Sequence, residues 1–160
     1  MHFKTVLALS MVAIITIAAS ATEAIAEIKP EDEIKFRQSG MMFMRWNMGK
    51  IKQQVGANPQ RYNKEEVIAA ANVIAAIANS GMGALFSSNT RTGKGWKDTR
   101  LKAEYFSQPE EVKKQASAFS QEANELVKVA NSADQTLIKN QFDKLFKACK
   151  SCHKKFRRKD

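Results

Sequence analysis

Four times between Lys29 and Phe156 a helix-start signal is followed by apolar residues three, four or seven apart, and no alternating β-branched run competes with them. The first stretch opens at Lys29-Pro30-Glu31-Asp32, with Pro in a tolerated first-turn position and acids at the positive helix end. Its stripe is Ile34, Met41, Met44, Met48, Ile51 and Val55, stopped by Gly56 and Pro59. The second opens at Asn63-Lys64-Glu65-Glu66, runs Val67, Ala70, Ala71, Ile74, Ile77, and ends at Gly81 and Gly83. The third opens at Ser107-Gln108-Pro109-Glu110 and the fourth at Ser132-Ala133-Asp134-Gln135, both reading as capping boxes. Their stripes are Val112, Ala116, Phe119, Ala123, Leu126, Ala130 and Ile138, Phe142, Leu145, Cys149, Cys152, Phe156. Two connections are short, which favours antiparallel neighbours. The third, Met82 to Phe106, is long and rich in Ser, Thr, Gly and Lys. The pattern predicts an all-α, antiparallel four-helix bundle.

Residues 1–26 read as an address rather than as structure. Lys4 precedes an apolar run from Val6 to Ala19, and small residues follow, ending Ala24-Ile25-Ala26. That is a secretory signal peptide, too short for a membrane span. Ala19-Ser20-Ala21 offers a second cut, so cleavage falls between Ala21 and Ala26, and an uncleaved anchor is the alternative. The expected organisation is a signal peptide over 1–26 and a bundle domain over 27–160, exported to the periplasm. Lys4 and Glu23 cancel, so the exported chain keeps the net charge of +10 that follows from 26 Lys and Arg against 16 Asp and Glu. Export takes this basic surface away from nucleic acid. No second long apolar run follows, so a soluble exported protein is expected.

The cysteine and histidine inventory narrows the chemistry. Without His2, removed on export, the chain keeps one histidine, His153, and two cysteines, Cys149 and Cys152. They form Cys149-Lys150-Ser151-Cys152-His153, the C-x-x-C-H attachment signature of c-type haem. At about 100° per residue, Cys152 and His153 lie within about 60° and 40° of Cys149 around a helix. Two thiols can then add to the haem vinyls while the imidazole points at iron. The competing readings are poorer. A redox dithiol expects a βαβ setting, a zinc site needs four ligands, and a disulfide between cysteines three apart on a helix is strained.

With C-x-x-C-H near its C-terminal end, this exported helical chain resembles the class II c-type cytochromes, the cytochrome c′ family. The resemblance covers most of residues 27–160. Its best stretches are Lys29-Pro30-Glu31-Asp32 through Phe36-Arg37-Gln38-Ser39 and Cys149 through Arg157, with Thr99 to Phe106 a further match. It implies one covalent haem c per chain, His153 as axial ligand, and Arg157 beside that histidine. It implies that Arg37 and Gln38 touch the haem. Arg37 sits on the inner stripe, where a charge needs a partner, and haem propionates suit a guanidinium. Rim positions in solvent are the alternatives for both arginines. Met41 matches the family's distal residue, and the family holds both Met-ligated and five-coordinate members. A methionine at helical spacing can also be core filler.

Two functions follow. One is a periplasmic single-electron carrier with iron bound by His153 and Met41. Its Lys and Arg near the C-terminal end would either steer an acidic redox partner or serve solubility. The other is a five-coordinate haem protein binding nitric oxide or another small gas. Enzymatic peroxide chemistry is not expected, because no distal histidine is available. A haem-free helical interaction module is the remaining reading. The resemblance also implies a homodimer pairing through the first two helices, to which Ile68, off the inner stripe, would belong.

Overall fold

The computed structural model describes residues 28–56 and 62–159. The export segment 1–26, His2 and Pro59 lie outside the described residues. Four long helices, α1 (Pro30–Gly56), α2 (Lys64–Ala78), α4 (Pro109–Ser132) and α5 (Gln135–Phe156), form the bundle, with a one-turn α3 (Glu104–Ser107) in the long connection. No strand occurs among the described residues, only isolated bridges. α1 packs on α2, α2 on α4 and α4 on α5, with a smaller contact between α1 and α5.

The caps explain where each helix begins. Asn63 accepts a bond from Glu66 N and starts α2 as expected. The other two expected boxes do not form. α4 begins at Pro109 after Gln108, which caps it with no side-chain bond, because Ser107 finishes α3 and donates its hydroxyl back to Glu104 O. For α5 the cap is Asp134, whose carboxylate takes Thr136 N and Leu137 N, while Ser132 is still part of α4. A single left-handed residue, Ala133 (φ 60), makes the turn between the two helices.

The core is Ile51 from α1, Val67, Ala70, Ala71, Ile74 and Ala75 from α2, Ala123, Leu126 and Ala130 from α4, and Ile138, Phe142 and Leu145 from α5. The alanines of α2 let its neighbours approach closely, which sets α2 in the middle of the packing. One stripe position is misread by periodicity. Ala116 is exposed, and the buried place belongs to Gln115, whose amide bonds Glu111 within α4. Ile68 packs against the edge of the core rather than standing free of it.

The long connection is bound to α1 along most of its length. Glu33 accepts from Ser87 N (3.2 Å) and Ser87 Oγ (3.1 Å). Gln38 Oε1 accepts from Trp96 N and Lys97 N, its Nε2 donates to Lys97 O, and Ser39 Oγ accepts from Trp96 Nε1. Contact is so close at Gly95 that an added Cβ would lie 2.8 Å from Lys35 N and 2.9 Å from Gln38 Oε1 and Ile34 Cγ2. Backbone cannot retreat from such a clash without lifting the connection off α1. Gly95→Ala is therefore expected to lower stability by about 1–3 kcal/mol, the usual range for overpacking, measured as a shift in urea midpoint.

Candidate haem site

Cys149 and Cys152 lie half-buried on the inward side of α5, directly after the core residues Phe142 and Leu145. Cys149 packs against the core cluster itself. Both sulfurs are free thiols, so the strained disulfide does not form. Burial and the neighbouring Cys152 push the Cys149 thiol up to about 11, and burial raises Cys152 as well. His153, also half-buried, is held below its ordinary value by burial first, then by the charges of Arg157 and Arg100. The imidazole is thus neutral near pH 7, with a lone pair available for a metal.

Segments far apart in sequence close this end of the bundle. Leu101 bridges to Arg157 in antiparallel fashion, Lys102 N donates to Phe156 O (2.9 Å), and Arg158 N donates to Arg100 O (2.8 Å). Arg157 caps α5 by donating its backbone N–H to His153 O (3.0 Å), with its own side chain exposed. The Arg157 charge acts on the histidine from there. Tyr105 stacks on Phe86 (5.0 Å) and meets Phe156 edge-on (5.7 Å). Burial and then Cys152 raise its pKa, which places its ring beside the second thiol.

Arg37 is 5% exposed, and its charge has partners within the chain. Nη1 donates to Leu85 O (2.8 Å) and Thr90 Oγ1 (2.5 Å), and Nη2 donates to Thr99 Oγ1 (2.7 Å) and Thr90 O (3.2 Å). The guanidinium also lies 4.8 Å from the Phe86 ring centroid. Gln38 likewise spends its amide on residues 96 and 97. Both residues therefore hold the connection that borders the site. A propionate contact would have to be added to these bonds. Thr90, Thr99, Tyr105 and Arg100 are the site residues that sequence reasoning missed. The signal for the threonines was present: a buried arginine facing a Thr-rich connection.

Thr99 also links the two ends of the described chain. It receives Arg37 from α1 through its hydroxyl and Arg158 Nη2 through its carbonyl (2.6 Å). The start of α1 thus meets the end of α5, so the two run antiparallel. Met41 stands four residues after Arg37 on α1, and His153 lies in the last turn of α5. Met41 lies angularly between buried Ile34 and Arg37, yet it is 42% exposed, so neighbouring helices do not close over it. Met44, one turn on, is buried.

This donor set fits haem c. Two free thiols and a neutral imidazole share one side of α5, and α1, which packs on α5, presents an uncovered thioether at Met41. A zinc site is not an option there, since no group of three or more His, Cys, Asp or Glu suited to a metal ion occurs among the described residues. Fold and site together define a helix bundle built to tether a haem. The family model for cytochrome c′ matches residues 32–157. A cytochrome c′ of Rhodocyclus tenuis is 52% identical over 132 residues, covering 82% of this chain and 98% of the relative. A solved cytochrome c′ with ligand-controlled dimer dissociation is 48% identical, with TM-score 0.79, covering 84% of this chain and all of that one. A nitric oxide complex of a cytochrome c′ variant from Alcaligenes xylosoxidans is 26% identical, with TM-score 0.71, covering 82% of this chain and 98% of that one. The chain belongs to the cytochrome c′ family, and its cofactor is covalently attached haem c.

Proposed function

We propose that this chain is an exported, periplasmic haem c protein that carries single electrons, with iron held on one side by His153 and faced on the other by Met41. Haem supplies the one-electron couple. Cys149 and Cys152 supply the tether, His153 the axial nitrogen, and Arg157 and Arg100 the positive charge beside that nitrogen. The observation that carries this reading is that the two free thiols and the neutral imidazole share one side of α5 while Met41 on α1 is left uncovered. No bond-making on a substrate is invoked, and among the described residues His153 is the only imidazole.

The exposure of Met41 favours a second reading, in which that face takes a small gas, as nitric oxide is taken by the Alcaligenes xylosoxidans relative. The ferric absorption spectrum separates the two. A methionine–iron charge-transfer band supports the carrier, whereas a high-spin spectrum transfers the site to gas binding. Under either reading Met41 blocks the approach, so Met41→Ala is expected to speed nitric oxide association by at least about tenfold, roughly 1.4 kcal/mol off the entry barrier, in stopped-flow mixing. An unchanged rate would remove Met41 from that face.

We also infer a homodimer. α1 turns Met42, Phe43 and Trp46 outward, each close to half exposed or more, and Trp46 stacks on Phe43 at 5.5 Å. Aromatic residues gathered on one exposed helix face suit an interface centre. Trp46→Glu is expected to yield monomers in sedimentation velocity at concentrations where the parent chain sediments as a dimer.

A further inference from the structure

The sixteen residues 144–159 contain eight Lys and Arg and no acid, in a chain whose whole net charge is +10. Outside this run Lys35 leans on Asp32, Lys128 on Glu125 and Lys139 on Asp143, and within it only Lys155 has a carboxylate, Glu111. Asp143, within reach of either side, pairs with Lys139. Lys144, Lys147, Lys150 and Lys154 are left exposed, with no carboxylate partner among the described residues. Their spacing of three, three and four puts them within about 120° on one face of α5, opposite the face that carries Cys149 and Cys152. Complementing the helix dipole accounts for Lys154 and Lys155 in the last turn. It does not reach Lys144, Lys147 or Lys150.

We propose that this outer face of α5 docks an acidic protein that exchanges an electron with the haem; the inference rests on the electron-carrier reading above. The same helix bears the tether and the charge. A partner seated on the lysines is therefore separated from the haem-bearing sulfurs by little more than the thickness of one helix, about 10 Å. An anionic membrane is the poorer occupant. Interfacial helices bury an apolar face in the lipid, and the apolar face of α5 is spent on the bundle core. The exposed apolar groups near the stripe are only two, Leu137 at the start of the helix and Phe146, which stacks on Phe142 and lies under Lys150.

The test mixes ferrous holoprotein with an oxidised, acidic blue-copper protein. One electron leaves the haem iron and reduces the copper, and no proton moves. Lys144→Glu with Lys147→Glu is compared with Lys52→Glu with Lys113→Glu, which changes net charge equally on other faces. Steered association changes rates by tens to hundreds of fold, so at low salt the α5 pair is expected to slow transfer at least about tenfold. The control pair should slow it by no more than about twofold, and high salt should erase the difference. Equal slowing by both pairs, or none, overturns the proposal. So does loss, in the α5 variant, of binding to phosphatidylglycerol vesicles without any salt-dependent association with the copper protein. A cationic cobalt complex as oxidant, together with calorimetric titration of ferric protein with the copper protein, separates the two levels. No exchange with the small oxidant sinks the carrier reading, while docking stands or falls on the titration.

Discussion

Arg37→Leu is expected to cost about 3–5 kcal/mol of stability, because several buried acceptors lose their donor at once, and to free the connection from residue 85 to residue 99. The leucine would fit the apolar neighbours of α1. It would strand Leu85 O, Thr90 O and the hydroxyls of Thr90 and Thr99, and both threonines are buried. Each unsatisfied buried polar group costs about 1–3 kcal/mol, and hydroxyl rotation recovers part of that for the threonines. Arg37→Lys keeps the charge but has a single nitrogen where the structure uses two, so it should lie between leucine and the parent chain. The checks are the urea midpoint and the protease sensitivity of residues 86–98. A leucine variant as stable as the parent chain would show that the bonds to Thr90 and Thr99 hold nothing together. Because Thr99 also receives Arg158, the loss should reach the far side of the site, where residues 100–102 pair with residues 156–158.

That coupling explains which parts of the molecule were legible in sequence. Helix positions were, because an apolar residue every three or four positions has one solution that buries all of them. Ile34, Ile51, Val67, Ile74, Leu126, Ile138 and Leu145 lie where the pattern puts them. Cys149, Cys152 and His153 share one side of α5 for the same reason: their spacing sets it, a local property of a helix. Two capping boxes failed because a box is read from four residues, whereas the cap that forms depends on what precedes it. Ser107 was already committed to α3 and Ser132 to α4. Arg37 was placed correctly on the inner stripe, but its partners were not found. Thr90 and Thr99 are 53 and 62 residues away in the chain, and no periodicity links an irregular connection to the helix it covers. The acid-free run after Asp143 was visible from the start. That Lys144, Lys147, Lys150 and Lys154 of this run share an exposed face without a carboxylate partner among the described residues required the fold.

Cys149→Ala combined with Cys152→Ala is expected to abolish covalent haem completely, giving no haem-stained band on a denaturing gel and no mass increment over the bare polypeptide. Each cysteine has no other role in the structure that would rescue it: both are free thiols, and neither joins a metal cluster among the described residues. Their burial makes them poor nucleophiles left alone, with Cys149 near 11, since the thiolate is the reactive form. The two cysteines are also held differently, so the single variants should differ. Cys149 packs against the core and its loss leaves a small cavity as well as one missing thioether. Cys152, beside Tyr105 and less tightly held, should lose the bond with little loss of helix packing. Cys149→Ala is thus expected to lower the thermal midpoint of the residual folded protein more than Cys152→Ala, while each keeps a one-point tether detectable by mass. A double variant that still carried haem through denaturation would remove the tether from these sulfurs, and with it the reason for three functional side chains to share one side of α5.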